Sequence, residues 1–197
     1  MDLLRYAIAV MLIMAIPAGI AFWLLIHPLV KLWRRWGAGI AYLVVCSLVL
    51  LLMSVMYFQR SRLLAADFGL SWPLAVSGAV LLFCSGIMLV KVRRHLTVRA
   101  LVGLPELSPP PGGGELLTSG IYGVIRHPRY LQMDLAILGY ALIANYPAVY
   151  LMALLWVIGI HGVVLLEEKE LLDRFGKDYR DYCARTPRYF PRWNGRK

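Results

Sequence analysis

The chain has 197 residues, 60% of them hydrophobic and only 16% charged, with a formal net charge of +10. So little charge over so much apolar sequence excludes an ordinary soluble domain and gives an integral membrane protein. The basic excess does not imply nucleic-acid binding, because no nucleic-acid-binding motif accompanies it.

In chain order, residues 3–26, 39–58 and 72–90 come near the roughly 20 apolar residues that a helical span needs. Two further stretches, 131–146 and 148–166, are parted only by Asn145-Tyr146-Pro147 and form a tight helical hairpin. The expected fold is all-α and membrane-integral, with about five transmembrane helices, the C-terminal hairpin among them, and a cytosolic amphipathic helix. The first arm of the hairpin, about 16 residues or ~24 Å long, is short for a full crossing.

The first span is too long for a signal-peptide core and no small-residue cleavage pattern follows it, so it is expected to stay. Pro17-Ala18-Gly19 marks a kink within it. The turn after it, Trp33-Arg34-Arg35-Trp36, sets aromatics and cations at an interface. Ser77-Gly78 and Ser85-Gly86 on the third span permit close helix approach. Cys46, Cys84 and Cys183 show neither disulfide nor metal-ligand spacing, so buried free thiols and no metal are expected.

Lys and Arg number one before the first span, three after it, two after the second, six from Lys91 to Arg129 and nine from Lys169 onward. With the N-terminus outside, 18 of the 21 fall on the cytoplasmic side. This charge sets topology and grips anionic headgroups of the membrane lipids. Residues 1–100 are expected to hold the N-terminal helices, and 101–197 a loop, the hairpin and the cytosolic helix, as one integrated membrane domain.

Residues 104–114 contain Pro105, Pro109-Pro110-Pro111 and Gly112-Gly113-Gly114, the composition of a bend or connector. The glycine triplet follows no strand, and nowhere do strands and helices alternate, which excludes a Rossmann-type cofactor fold.

The next stretch, Leu117-Thr118-Ser119-Gly120-Ile121-Tyr122-Gly123-Val124-Ile125-Arg126-His127-Pro128-Arg129-Tyr130, is the polar centre of the sequence. It is answered by Glu167-Glu168 across the hairpin, between which the ionisable side chains are Asp134, His161 and a few tyrosines. Together they read as the wall of a polar-ligand site at a membrane surface. The plainer reading is a juxtamembrane loop whose Arg and Tyr anchor helix ends. Beyond Glu167, Leu171, Leu172, Phe175, Tyr179 and Tyr182 continue the helix as an amphipathic one, with Glu170/Arg174 and Lys177/Asp181 as i,i+4 pairs. Gly176 inside it permits a close contact or a local bend.

The pieces Leu117-Thr118-Ser119-Gly120-Ile121-Tyr122, Arg126-His127-Pro128-Arg129-Tyr130, Glu167-Glu168-x-x-Leu171, Phe175-Gly176-x-x-Tyr179-x-x-Tyr182 and Pro187-Arg188-x-x-Pro191 resemble the membrane-embedded isoprenylcysteine carboxyl methyltransferases and their phospholipid N-methyltransferase relatives. The resemblance covers residues 114–191. It implies S-adenosylmethionine as methyl donor, bound at the cytosolic interface, and a lipophilic acceptor reaching the site from the bilayer. By position, Leu116, Leu117, Tyr122, His127, Pro128 and Tyr130 would wall the donor, and Glu167 would receive its ammonium.

The chemistry of the residues agrees. A carboxylate such as Glu167 or Glu168 suits the ammonium, Arg126 or His127 suits the carboxylate, and tyrosine faces suit the sulfonium. In-line methyl transfer needs positioning more than acid–base groups; for an amine or thiol acceptor His161 could help remove the proton. Two positions depart from the family pattern. Gln132 stands where the motif carries glycine, so the pocket behind it is reshaped or Gln132 donates a hydrogen bond. Val163 stands where the prenylcysteine enzymes hold an arginine for the substrate carboxylate, so a prenylcysteine carboxyl group is not the expected acceptor.

A second reading is a nicotinamide-dependent membrane reductase, since integral sterol reductases resemble the same region through Arg-His, a Tyr three residues on and a nearby Asp (here Asp134). A third is a non-catalytic membrane protein retaining the fold.

Overall fold

The computed structural model describes residues 1–94 and 115–191; His95 and the connector expected at 104–114 lie outside them. In chain order the helices are α1 (Asp2–Ile26), α2 (Val30–Trp36), α3 (Ala38–Phe58), α4 (Arg60–Leu63) and α5 (Trp72–Arg93), then α6 (Pro128–Ala144), α7 (Pro147–Phe175) and α8 (Lys177–Arg185). A 3₁₀ helix, Gly120–Gly123, leads into α6. No strand occurs among the described residues.

Four helices, α1, α3, α5 and α7, are long and apolar enough to cross a membrane. The fifth expected span is α6, whose 17 residues reach ~25 Å and make it the short arm of the hairpin. Proline opens both arms: Pro128 begins α6 and Pro147 begins α7, where a missing N–H costs no hydrogen bond. Asn145 closes α6 in the left-handed region at φ 57°, which turns the chain within two residues. The apolar part of α7 ends near residue 166, and the charged residues 167–175 continue beyond it. Gly176 then breaks the helix at φ +52°. With nothing within 4 Å of where its Cβ would stand, it serves as a bend and not as a close contact.

Packing follows the 3–4 spacing of apolar stripes. On α1 the buried stripe is Ala9, Leu12, Ile13, Ile16 and Trp23; on α7 it is Val149, Ala153, Trp156, Ile160 and Val163. Glycines let these helices approach: a Cβ on Gly19 would stand 3.1 Å from the Trp156 ring, and one on Gly159 3.1 Å from Ile20. Helix α1 runs unbroken through Pro17. Helices α5 and α6 meet through Gly78 and Gly139, where an added Cβ on Gly78 would lie 2.5 Å from the Gly139 carbonyl oxygen. Gly86 faces open space, so the small-residue expectation holds for Gly78 alone of the two. Cys46, Cys84 and Cys183 are free, but Cys46 and Cys84 are exposed on the outward faces of α3 and α5 instead of buried.

At one end of the bundle Arg5, 1% exposed, joins three parts of the chain. Its Nε donates to the Ala144 carbonyl at 3.1 Å, closing an end of α6 that has no intrahelical partner. Its guanidinium also donates to Asp67 in the loop before α5 and lies 5.4 Å from the Tyr146 ring centre. Asn145 completes the joint, donating to the Gly69 carbonyl at 2.9 Å and accepting from the Tyr150 hydroxyl at 2.8 Å. At the other end Glu170 of α7 faces His27 (3.8 Å) and Arg34 (3.7 Å) after α1. Arg174, one turn on, also acts on Glu170, whose carboxyl is held below its ordinary value by His27, Arg34 and Arg174. The two joints put the N-terminus, the α4–α5 loop and the hairpin turn at one end, and the α1–α2 turn with the charged end of α7 at the other.

Candidate functional site

The polar stretch and the glutamate pair meet at the basic end. Two backbone hydrogen bonds hold the stretch in place: Arg126 N–H donates to the Pro187 carbonyl at 2.8 Å, and His127 N–H to the Arg188 carbonyl at 3.1 Å. The tail after α8 therefore lies alongside residues 126–127. The Tyr182 hydroxyl donates to the Tyr122 carbonyl at 2.6 Å, tying α8 to the 3₁₀ helix. Tyr122, His127, Pro128 and Tyr130 are buried, and Leu116 and Leu117 are half-buried at the start of the segment.

Glu168 sits at the centre of this joint. Its Oε1 accepts from Arg126 (2.9 Å), His127 Nε2 (3.0 Å) and Arg188 Nε (3.0 Å), and its Oε2 from the second Arg188 nitrogen at 2.6 Å. Burial pushes the Glu168 carboxyl up, but hydrogen bonds from His127, Arg188 and Arg126 overcome it and hold the group well below the usual carboxylate range. Arg126 also donates to the carbonyls of Cys183 (3.1 Å) and Thr186 (2.7 Å). Arg126 and Glu168 were expected at a ligand, and the structure engages them with each other and with the tail.

Glu167 is placed differently. Its Oε2 is buried without a hydrogen-bond partner, although the side chain as a whole is 31% exposed. The nearest cationic candidate, His127 Nδ1, is 4.0 Å away, beyond hydrogen-bond reach. Burial, and then the Glu167 charge, push the Tyr122 hydroxyl far above its ordinary value, so Tyr122 and Glu167 share one environment. Around them the His127 ring lies 5.8 Å from Tyr130 and 6.2 Å from Tyr189. An unmatched carboxylate oxygen among aromatic faces is a setting for a cationic group.

His161 stands apart from this cluster, exposed on α7, with Nδ1 3.1 Å from the Tyr189 hydroxyl. Gln132 resolves in favour of the hydrogen bond: its side-chain nitrogen donates to Ser85 Oγ at 2.8 Å, and Ser85 donates to the Gln132 carbonyl at 2.9 Å. Val163, fully buried, packs in the core. Asp134 accepts from Trp156 Nε1 at 2.8 Å. The residues that sequence reasoning left without a role are Arg188 and Tyr189. Arg188 stood in a quoted motif, but nothing local says that it returns to Glu168.

The model of the phospholipid methyltransferase family matches residues 74–178, more than half of the chain. The chain is also similar to the nickel-cobalt-cadmium resistance protein NccN of Alcaligenes xylosoxydans xylosoxydans, 34% identical over 40% of this chain and 37% of that protein. It is 36% identical to the cobalt-zinc-cadmium resistance protein CzcN of Cupriavidus metallidurans over 39% of this chain and 36% of that one. A delta(14)-sterol reductase of Mus musculus is 29% identical over 48% of this chain and 23% of its own length. The chain thus spans well under half the length of each of these relatives.

Proposed function

The chain belongs to the phospholipid methyltransferase family, and from that membership we propose that it is an S-adenosylmethionine-dependent methyltransferase acting on a lipophilic acceptor at the cytosolic membrane face. The observation that carries the reading is the buried, unpartnered Oε2 of Glu167 beside His127 and Tyr122. This oxygen receives the donor's ammonium, which supplies the missing partner. Tyr122, His127, Pro128 and Tyr130 would wall the donor, the aromatic faces of the two tyrosines suiting its sulfonium, with Leu116 and Leu117 as the apolar edge. Arg126 and Glu168 act at one remove, holding the wall against the tail. The donor supplies the methyl group; this chain's residues orient it and exclude water, which is most of what in-line displacement requires.

The sterol reductase relative favours a second reading, reduction with a nicotinamide cofactor. Calorimetric titration of the purified protein in detergent with S-adenosylhomocysteine and with NADPH separates the two. Saturable heat with the first and none with the second is expected; the reverse pattern rejects methyl transfer.

A further inference from the structure

His161 occupies an unusual position for an ionisable side chain. It shares the outward face of α7 with Leu154, Val157, Ile158 and Leu165, all exposed. In a membrane this face meets acyl chains, where a polar side chain is expensive and marks function. Its partner comes from elsewhere: Nδ1 lies 3.1 Å from the Tyr189 hydroxyl, and the two rings are 6.0 Å apart. The Tyr189 ring also lies 6.2 Å from the His127 ring, and His127 leads on to Tyr130 and Glu167. Tyr189 therefore bridges the lipid-facing surface of α7 and the site, and it does so from the tail, beyond the family match that ends at residue 178.

The geometry points to His161 and Tyr189 as the pair that takes the proton from a protic acceptor, an amine, thiol or hydroxyl, arriving laterally from the bilayer. This rests on the methyltransferase reading. Burial pushes the Tyr189 hydroxyl up to about 12, so near neutral pH it keeps its proton, which the 3.1 Å contact sets toward Nδ1. The acceptor's heteroatom attacks the methyl carbon with its lone pair. The new heteroatom–carbon bond forms as the carbon–sulfur bond breaks, and that electron pair stays on sulfur. The acceptor's proton passes to the Tyr189 oxygen while the Tyr189 proton passes to His161 Nδ1, leaving an imidazolium. Charge balances: the positive charge lost from the sulfonium reappears on the ring.

A role confined to pinning the tail makes a different prediction, which the full-length protein in detergent micelles can test. The probes are S-adenosylhomocysteine for binding, and dodecylamine and dodecanethiol as protic acceptors for labelled S-adenosylmethionine. Tyr189→Phe keeps the ring packing and His161→Gln keeps a polar side chain. Both variants are expected to bind S-adenosylhomocysteine as the wild type does. Their kcat should fall about 100-fold, the scale of a lost general base, with the KM for the acceptor little changed. Unchanged kcat, a change in KM alone, or loss of S-adenosylhomocysteine binding each overturns the assignment. A wild-type protein that binds no S-adenosylhomocysteine rejects the methyltransferase reading itself; one that binds it but methylates neither probe rejects only the proton-accepting pair. Should a variant fail to fold, nitrogen-15 imidazole spectra of the wild type decide. Added dodecylamine should shift the His161 ring signals, and unmoved signals overturn the proposal.

Discussion

Glu167 and Glu168 are neighbours in sequence with opposite environments: Glu168 accepts from Arg126, His127 and Arg188, while Glu167 keeps a buried oxygen without a hydrogen-bond partner. Successive residues on a helix point roughly 100° apart, so one glutamate meets the tail and the other meets the space beside Tyr122. The first closes the fold, and the second is left available to a ligand.

The two glutamates should therefore fail differently. Glu167→Gln is expected to leave thermal unfolding in detergent unchanged and to weaken S-adenosylhomocysteine binding by about 1–3 kcal/mol, the worth of a hydrogen bond to a charged group. Glu168→Gln leaves two arginines facing a neutral amide and should destabilise the protein by about 3 kcal/mol. Calorimetric affinity and melting temperature, measured on both variants, check the pair. Equal melting losses would remove the distinction.

Arg5 gives a second test, at the far end of the bundle. Replacing it with Met removes the side-chain donor to the Ala144 carbonyl and the cationic partner of Asp67, which keeps the Gly69 N–H as a donor at 2.8 Å. The cost should be about 2–4 kcal/mol, below that of a fully buried pair because the Asp67 side chain is 37% exposed. Melting of Arg5→Met against Arg5→Lys measures it, with Lys recovering only part because it cannot serve Ala144, Asp67 and Asp2 (3.2 Å from the Arg5 guanidinium) together.

These residues also mark where the sequence stops being legible. The hairpin, the motif order and the value of Gly78 and Ser85 were readable because their signals are local: a proline, a small residue, a run of apolar positions. Arg5 counted only as one positive charge, since its partners lie 62 and 139 residues away. The same holds for Arg188, which meets Glu168 only after α8 has turned the chain back. The exposure of Cys46 and Cys84 was not readable either, because a spanning helix is apolar on every side and does not announce which face meets lipid.

The contact of α5 with α6 should tolerate no added methyls at its centre. Gly78→Val drives side-chain atoms into the Gly139 carbonyl, 2.5 Å from the first added carbon, and should cost about 1–3 kcal/mol by overpacking. At Gly86, exposed eight residues along the same helix, an added Cβ meets nothing within 4 Å, and Gly86→Val should be near neutral. Melting temperatures of the two variants in one detergent make the comparison, and similar losses would show that glycine matters there for helix flexibility instead of fit.

Alkaline pH probes the joint between α8 and the tail. Burial pushes the Tyr182 hydroxyl up to about 12, against a nearby Arg126 that lowers it, and burial likewise raises Tyr189 to about 12. Both start from the ordinary value of 10.0. A group whose proton is held more tightly in the folded state contributes stability that is complete below the unfolded value and lost as pH rises through the folded one. The loss should run from pH 10 to about 12 and amount to roughly 2–3 kcal/mol for each tyrosine, at 1.36 kcal/mol per pH unit. The acid side behaves in the opposite sense: Glu168, held low, contributes stability that persists until pH falls below the ordinary carboxylate range. Ultraviolet absorbance of phenolate, followed with helicity by circular dichroism, reads the alkaline limb. Phenolate from these two residues should appear together with loss of helix structure, and Tyr182→Phe should flatten the limb, because the variant has no hydroxyl to ionise and also lacks the donor to the Tyr122 carbonyl at every pH. Phenolate that titrates near pH 10 with helicity intact would mean that Tyr182 and Tyr189 are solvated in the folded protein, and that the tail does not close over the site.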